Sequence, residues 1–137
     1  MKRKGLRVLS VALVFALLLP VFALTACTDK DKDKPSELNA IEQSIVGYWT
    51  ADGKPVNEFK SDGTWTYRLG EPYKPFEQNG EAVGGVGEKY GHYYKIKAGG
   101  IDRYAFFDDE PDKLYDLLDI GVVWHRMTDE EVAERLP

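Results

Sequence analysis

Residues 59–67 read Phe-Lys-Ser-Asp-Gly-Thr-Trp-Thr-Tyr. Ser61-Asp62-Gly63 is a strong hairpin signal, because Asp and Gly accept the backbone that a tight turn demands. Strand formers flank it on both sides. Over residues 64–69, Trp65, Tyr67 and Leu69 fall on one face and Thr64, Thr66 and Arg68 on the other. Residues 55–60 supply the partner strand. The nine residues therefore read as a β-hairpin with one apolar face.

The same rhythm continues outward in both directions. Towards the N-terminus, Asp52-Gly53 turns the chain back into a strand over residues 46–50. A short helix over residues 36–44 precedes it, with Ser36 as N-cap and Leu38, Ile41 and Ile45 on one face. Towards the C-terminus, residues 70–88 carry Pro72, Pro75 and five glycines. That composition predicts a long loop with at most a short strand near residues 76–78. Strands are expected again over residues 89–97 and 101–107, joined by Ala98-Gly99-Gly100. Residues 108–112 turn, and residues 113–118 and 122–127 form a last hairpin. Thr128 and Glu131 match a capping box that opens a helix over residues 129–136. Seven or eight strands in meander order predict a mainly β fold. It is a small antiparallel barrel or half-barrel with short terminal helices.

At 137 residues the chain has room for one domain, which excludes Rossmann and TIM-barrel architectures. Its 43% hydrophobic and 12% aromatic content excludes a disordered chain. The formal net charge is −5, and it becomes −9 once Lys2, Arg3, Lys4 and Arg7 are removed with residues 1–26. Such an acidic product lacks the basic footprint of a nucleic-acid binder, and anionic head groups repel it. One cysteine, Cys27, allows no internal disulfide.

The position of Cys27 points to a role other than catalysis. Residues 1–7 are a basic stretch and residues 8–24 an apolar run interrupted by Ser10 and Pro20, a secretory signal pattern. The run ends in Leu24-Thr25-Ala26-Cys27, which resembles the lipobox of bacterial lipoproteins. The resemblance implies cleavage before Cys27 and a diacylglyceryl thioether on its sulfur. Two or three long acyl chains, palmitate among them, would hold the protein on a membrane, since each buried CH₂ is worth about 0.8 kcal/mol. Thr28 stands where some inner-membrane lipoproteins carry Asp. An outer membrane and a Gram-positive cell surface both stay open. Residues 28–36, Thr-Asp-Lys-Asp-Lys-Asp-Lys-Pro-Ser, have no apolar face and read as a solvated tether. The expected organisation is a signal peptide over residues 1–26, the lipidated Cys27 and tether over residues 27–37, and a β domain over residues 38–137.

Within that domain, Ile45-Val46-Gly47-Tyr48-Trp49 resembles the opening Gly-x-Trp of lipocalin-like domains. Residues 59–67, the Gly91-His92-Tyr93-Tyr94-Lys95-Ile96-Lys97 strand and the final hairpin to Arg126 resemble later segments of small lipocalin-like bacterial lipoproteins, in order. The resemblance implies a barrel fold rather than an activity. Fewer than 90 residues serve the strands, fewer than in a lipocalin that encloses a ligand. Trp49 is expected to plug the base, with Trp65 and Trp124 in the core.

Few residues suggest chemistry. His92 and His125 lie on different expected strands with no Cys/His spacing that favours zinc. No Gly-x-Ser-x-Gly elbow is present. Asp108, Glu110, Asp112 and Asp119 occupy positions 1, 3, 5 and 12 of a calcium-loop register. Lys113 stands where that loop needs Gly, and Asp119 where it needs Glu, so the stretch reads as an acidic turn. No catalytic residue, metal or cofactor is therefore expected. Tyr90, Tyr93, Tyr94 and Tyr104, next to the 70–88 loop, are the candidate contact surface, since tyrosine serves interfaces well. The expected function is that of a non-enzymatic, lipid-anchored envelope protein. It would bind a small apolar ligand or a surface partner such as an envelope protein. A structural envelope protein, or an inhibitor of a host or competitor hydrolase such as lysozyme, is the alternative.

Overall fold

A computed structural model describes residues 37–137. The signal, Cys27 and the tether lie outside the described residues. Eight antiparallel strands follow one another around a closed barrel. They are β1 (Gly47–Thr50), β2 (Asn57–Phe59), β3 (Thr64–Thr66), β4 (Lys74–Val86), β5 (Lys89–Ala98), β6 (Ile101–Phe106), β7 (Lys113–Asp116) and β8 (Val123–Arg126). Trp49 of β1 pairs with Arg126 of β8, which closes the ring. Helix α1 (Ala40–Ser44) precedes the barrel and α2 (Asp129–Arg135) follows it.

The meander order agrees with the sequence expectation, and the half-barrel alternative falls because β1 and β8 join. The strands expected over residues 55–60 and 64–69 are shorter, Asn57–Phe59 and Thr64–Thr66, and two further expectations need correction. The N-cap of α1 is Asn39, not Ser36, and Asn39 with Glu42 completes a reciprocal capping box. Residues 70–88 are not a long loop: most of them form β4, the longest strand, paired along its length with β5. Proline and glycine mislead there for a physical reason. Pro75 sits at the start of β4, where a missing N–H is tolerated. A β-bulge between Gln78 and Glu81 absorbs the irregularity around Gly80.

Alternation fills the barrel with rings. Phe59, Trp65, Phe76, Tyr104 and Trp124 point inward, all at most 4% exposed, and Tyr67 packs against them. Phe59 meets Phe76 edge-on at 5.0 Å, and Tyr104 lies edge-on to Phe59, Trp65 and Trp124 at 5.8–6.3 Å. An eight-stranded barrel is just wide enough for its own side chains, and these rings occupy it. Each buried ring or large aliphatic side chain contributes about 1.5–3 kcal/mol through burial. Two polar side chains share the interior. Asp116 accepts from Trp124 Nε1 at 3.0 Å and from the backbone N–H groups of Leu118 and Asp119. Asn57 meets the Tyr104 hydroxyl at 2.8 Å.

The base of the barrel is sealed by Trp49 and Arg126. The Trp49 indole donates to the Ile45 carbonyl at 2.9 Å. The Arg126 guanidinium lies 4.4 Å from the centre of a Trp49 ring and donates to the carbonyls of Val46, Ser44 and Pro111 and to Asp112. Gly47 permits this approach: a Cβ there would stand 3.1 Å from Arg126 Nη1, on a backbone with φ +136°.

Candidate functional site

The β4–β5 hairpin outgrows the barrel. Strand β3 pairs with β4 only at Thr64↔Pro75 and Trp65↔Lys74. The Phe76 N–H still reaches the Gly63 carbonyl, and the next outward N–H, that of Gln78, donates to Glu42 of α1 at 2.8 Å. Among the described residues no strand lines that side of β4 beyond Gln78. On the other side, β6 begins to pair with β5 only at Tyr94↔Phe106. Residues 81–93 thus form a two-stranded ribbon with two open edges.

One face of the ribbon is covered. Val86 and Tyr93 pack on Ala105, Phe107, Tyr115, Leu117 and Val123, a second apolar cluster on the outside of β6–β8. Charge holds the tip: Lys89 Nζ lies 2.7 Å from Asp109 and 3.3 Å from Glu110. Glu110 in turn accepts from the Tyr115 hydroxyl at 2.6 Å and from Lys113 at 3.1 Å. These donors, the hydroxyl first, pull the Glu110 carboxyl down to about 2. Burial, and then the Glu110 carboxylate, push the Tyr115 hydroxyl up to about 12. Gly87 makes the turn at φ +61°, close against the Tyr115 ring.

The other face is bare. It carries Glu81 and Val83 on β4 and Tyr90 and His92 on β5, with Val83 81% and Tyr90 80% exposed. Pairing Gly85↔Tyr90 and Val83↔His92 makes Val83 and Tyr90 diagonal neighbours. Gly85 lets the Tyr90 ring lie on the strand backbone, where a Cβ would come within 2.6 Å of it. His92 Nε2 and Glu81 Oε2 are 2.9 Å apart.

The four tyrosines singled out from the sequence therefore do not share one surface. Tyr90 stands on the bare face and Tyr93 in the cluster beneath the ribbon. Tyr94 packs against the barrel interior, and Tyr104 is fully inside it. Burial, together with the neighbouring Asp116, pushes the Tyr104 hydroxyl far above the usual tyrosine range. The acidic stretch also disperses. Asp109 and Glu110 go to Lys89, Asp112 to Arg126 and Asp119 to Lys54, so their carboxylates face different partners. His125 is exposed on β8, and its strand neighbours are Thr50 and Lys113.

Sequence reasoning missed the ribbon. The available signal was alternation on both sides of Gly87-Glu88: Ala82, Gly84 and Val86 on one strand oppose Tyr93, Gly91 and Lys89 on the other. Five glycines masked it, because glycine lowers strand propensity wherever it occurs.

The chain matches no protein-family model, no curated protein and no solved structure. Its own residues carry the functional argument.

Proposed function

We propose that this chain is a non-enzymatic, lipid-anchored binding module of the bacterial envelope, and that its partner is a protein held by the β4–β5 ribbon. The observation that carries this reading is the bare ribbon face: Val83 and Tyr90 lie exposed side by side next to an unpaired strand edge. Soluble proteins usually guard such edges with Lys, Pro or a covering element. Beyond Gln78, β4 reads Asn-Gly-Glu-Ala-Val-Gly-Gly-Val, with no Lys or Pro, and after the bulge at Gln78–Glu81 no described strand covers its edge. An extended partner segment would add a strand there, with backbone hydrogen bonds for affinity and Val83 and Tyr90 for specificity. The filled barrel interior supports a surface partner over an apolar ligand held inside. The lipobox-like Leu24-Thr25-Ala26-Cys27 supports membrane attachment, and Cys27→Ala is expected to move the protein from the membrane fraction to the soluble fraction.

The test is photo-crosslinking in living cells, with the photoreactive residue at position 83 or 90 of the full chain. One discrete protein adduct is expected at both positions, and none with the probe at Lys97 on the barrel wall. Tyr90→Ser with the probe at 83 should remove the adduct while amide exchange in β8 stays unchanged. Equal adducts from all three positions would sink the reading.

A further inference from the structure

Arg103 stands at the barrel mouth, the end away from Trp49, where the β3–β4 and β5–β6 connections form the rim. Its guanidinium carbon lies 4.5 Å from the centre of the Tyr67 ring, 5.4 Å from Trp65 and 5.7 Å from Tyr104. Its Nε donates to the Tyr104 hydroxyl at 3.1 Å. Stacking and one hydrogen bond thus orient the group, with no carboxylate among the described residues within ion-pair distance.

That isolation is selective. Residues 37–137 contain eleven Lys and Arg against twenty Asp and Glu, so carboxylates are plentiful. Among the described residues only Lys60, Lys74, Arg103 and Arg135 lack one. Lys60 lies over the Tyr73 ring, and Arg135 donates to Thr50 Oγ1. The remaining two, Lys74 and Arg103, line one hollow of about 250 Å³. Trp65, Tyr67, Pro72 and Ile101 line it too. Glu71 lines the hollow as well, and its carboxylate is paired with Arg68 at 3.7 Å.

Two further features mark this place. Trp65 is 4% exposed, and its indole N–H has no hydrogen-bond partner, an uncommon condition for a buried donor. Gly99 has φ +64°, and a Cβ there would come within 3.3 Å of both Lys74 Cδ and Trp65 Cζ3. Glycine at this turn lets the lysine stem and the indole close on the hollow. Ile101, 48% exposed, gives the rim an apolar side.

We propose that this hollow binds a small carboxylate with a compact apolar body. The Arg103 fork matches a planar carboxylate in two-point contact, and Lys74 adds a second positive charge. Tyr67, Pro72 and Ile101 receive the apolar part. The volume falls just below the roughly 300–1,000 Å³ of typical ligand pockets, which sets the ligand's size. This site is independent of the ribbon, and either can fail without the other.

The test is an NMR titration of the full chain in detergent micelles, read at the tryptophan indole N–H signals. Benzoate is the probe, with benzamide as the neutral analogue of equal shape and inorganic phosphate as the anion without an apolar body. Benzoate is expected to shift the Trp65 signal saturably, and benzamide and phosphate are not. K74Q should weaken benzoate several-fold, and R103K, which keeps the charge but loses the two-point fork, by about tenfold. Unchanged Trp49 and Trp124 signals would show that R103K is folded, and Lys74 is exposed, so K74Q leaves the core untouched. No saturable shift, equal binding of benzamide, equal binding of phosphate, or affinity indifferent to both substitutions would each overturn the proposal.

Discussion

The base of the barrel and the β4–β5 ribbon are both antiparallel sheet, yet they are held by opposite means. At the base, β1 is paired on both sides, and Trp49 and Arg126 fill the end with their hydrogen-bonding groups engaged. On the ribbon, residues 81–93 have open edges, five glycines lie between positions 80 and 91, and the tip is fastened by ion pairs on the barrel wall. A fully buried Trp49 makes the base intolerant of change. Few buried contacts and solvent-facing hydrogen bonds place the ribbon at the low end of local stability. The molecule thus separates the part that keeps it folded from the part whose edges and outer face are open.

The largest expected effect breaks the base. Trp49→Ala removes a fully buried ring and should cost about 3–5 kcal/mol in global stability, measured by urea unfolding. A loss below about 1 kcal/mol would show that closure does not depend on the plug. Arg126→Lys comes next. Lysine cannot reach the Val46, Ser44 and Pro111 carbonyls together, so about 2 kcal/mol should be lost although the charge remains. If lysine proved as good as arginine, the carbonyl contacts would not be what joins β8 to the segment before β1.

Ribbon changes should be smaller and local. Gly87→Ala forces alanine into a left-handed turn and puts its Cβ 3.3 Å from the Tyr115 ring. About 1–2 kcal/mol is expected for the backbone alone. It should appear as faster amide exchange over residues 82–93, with little change in β8. A uniform loss of protection throughout the barrel would mean that ribbon and barrel unfold as one unit, and the contrast between them would disappear.

The base was legible in the sequence and the ribbon was not, and the reason is physical. Trp49, Trp65 and Trp124 declare themselves because a buried ring has one natural place in a small alternating sheet. Asp62-Gly63 and Thr128/Glu131 declare themselves because a turn or a cap is a local affair. The ribbon depends instead on a long-range event, the outer face of β6–β8 offering Phe107 and Tyr115 to Val86 and Tyr93. Without that cover, residues 80–87 have only glycine-rich composition, which reads as loop. The tyrosines show the same limit. Alternation predicts that half point inward, but it cannot tell that Tyr104 goes to the centre while Tyr90 stays bare. Arg103 carried no local signal at all, since what distinguishes it is the lack of a carboxylate partner in a chain rich in carboxylates.

The most local effect concerns pH and acts on the ribbon tip alone. Glu110 is held at about 2, chiefly by the Tyr115 hydroxyl, against an ordinary 4.5. A depressed carboxyl contributes its stabilisation in full above the ordinary value, so tip protection should fall as pH drops from about 4.5 towards 2. Tyr115 is raised to about 12, so its contribution is full below 10 and is lost as pH climbs through that interval. Both ends of one hydrogen bond therefore limit the same contact, one in acid and one in base. Amide exchange at residues 86–91, referenced to β8 at each pH, should show an acid limb and an alkaline limb. Glu110→Gln combined with Asp109→Asn keeps an acceptor for the Tyr115 hydroxyl but leaves Lys89 no titrating carboxylate, so the acid limb should disappear while the alkaline limb stays. An acid limb that survives both substitutions would assign the tip's pH response to the barrel as a whole, and ribbon and base would then share one stability.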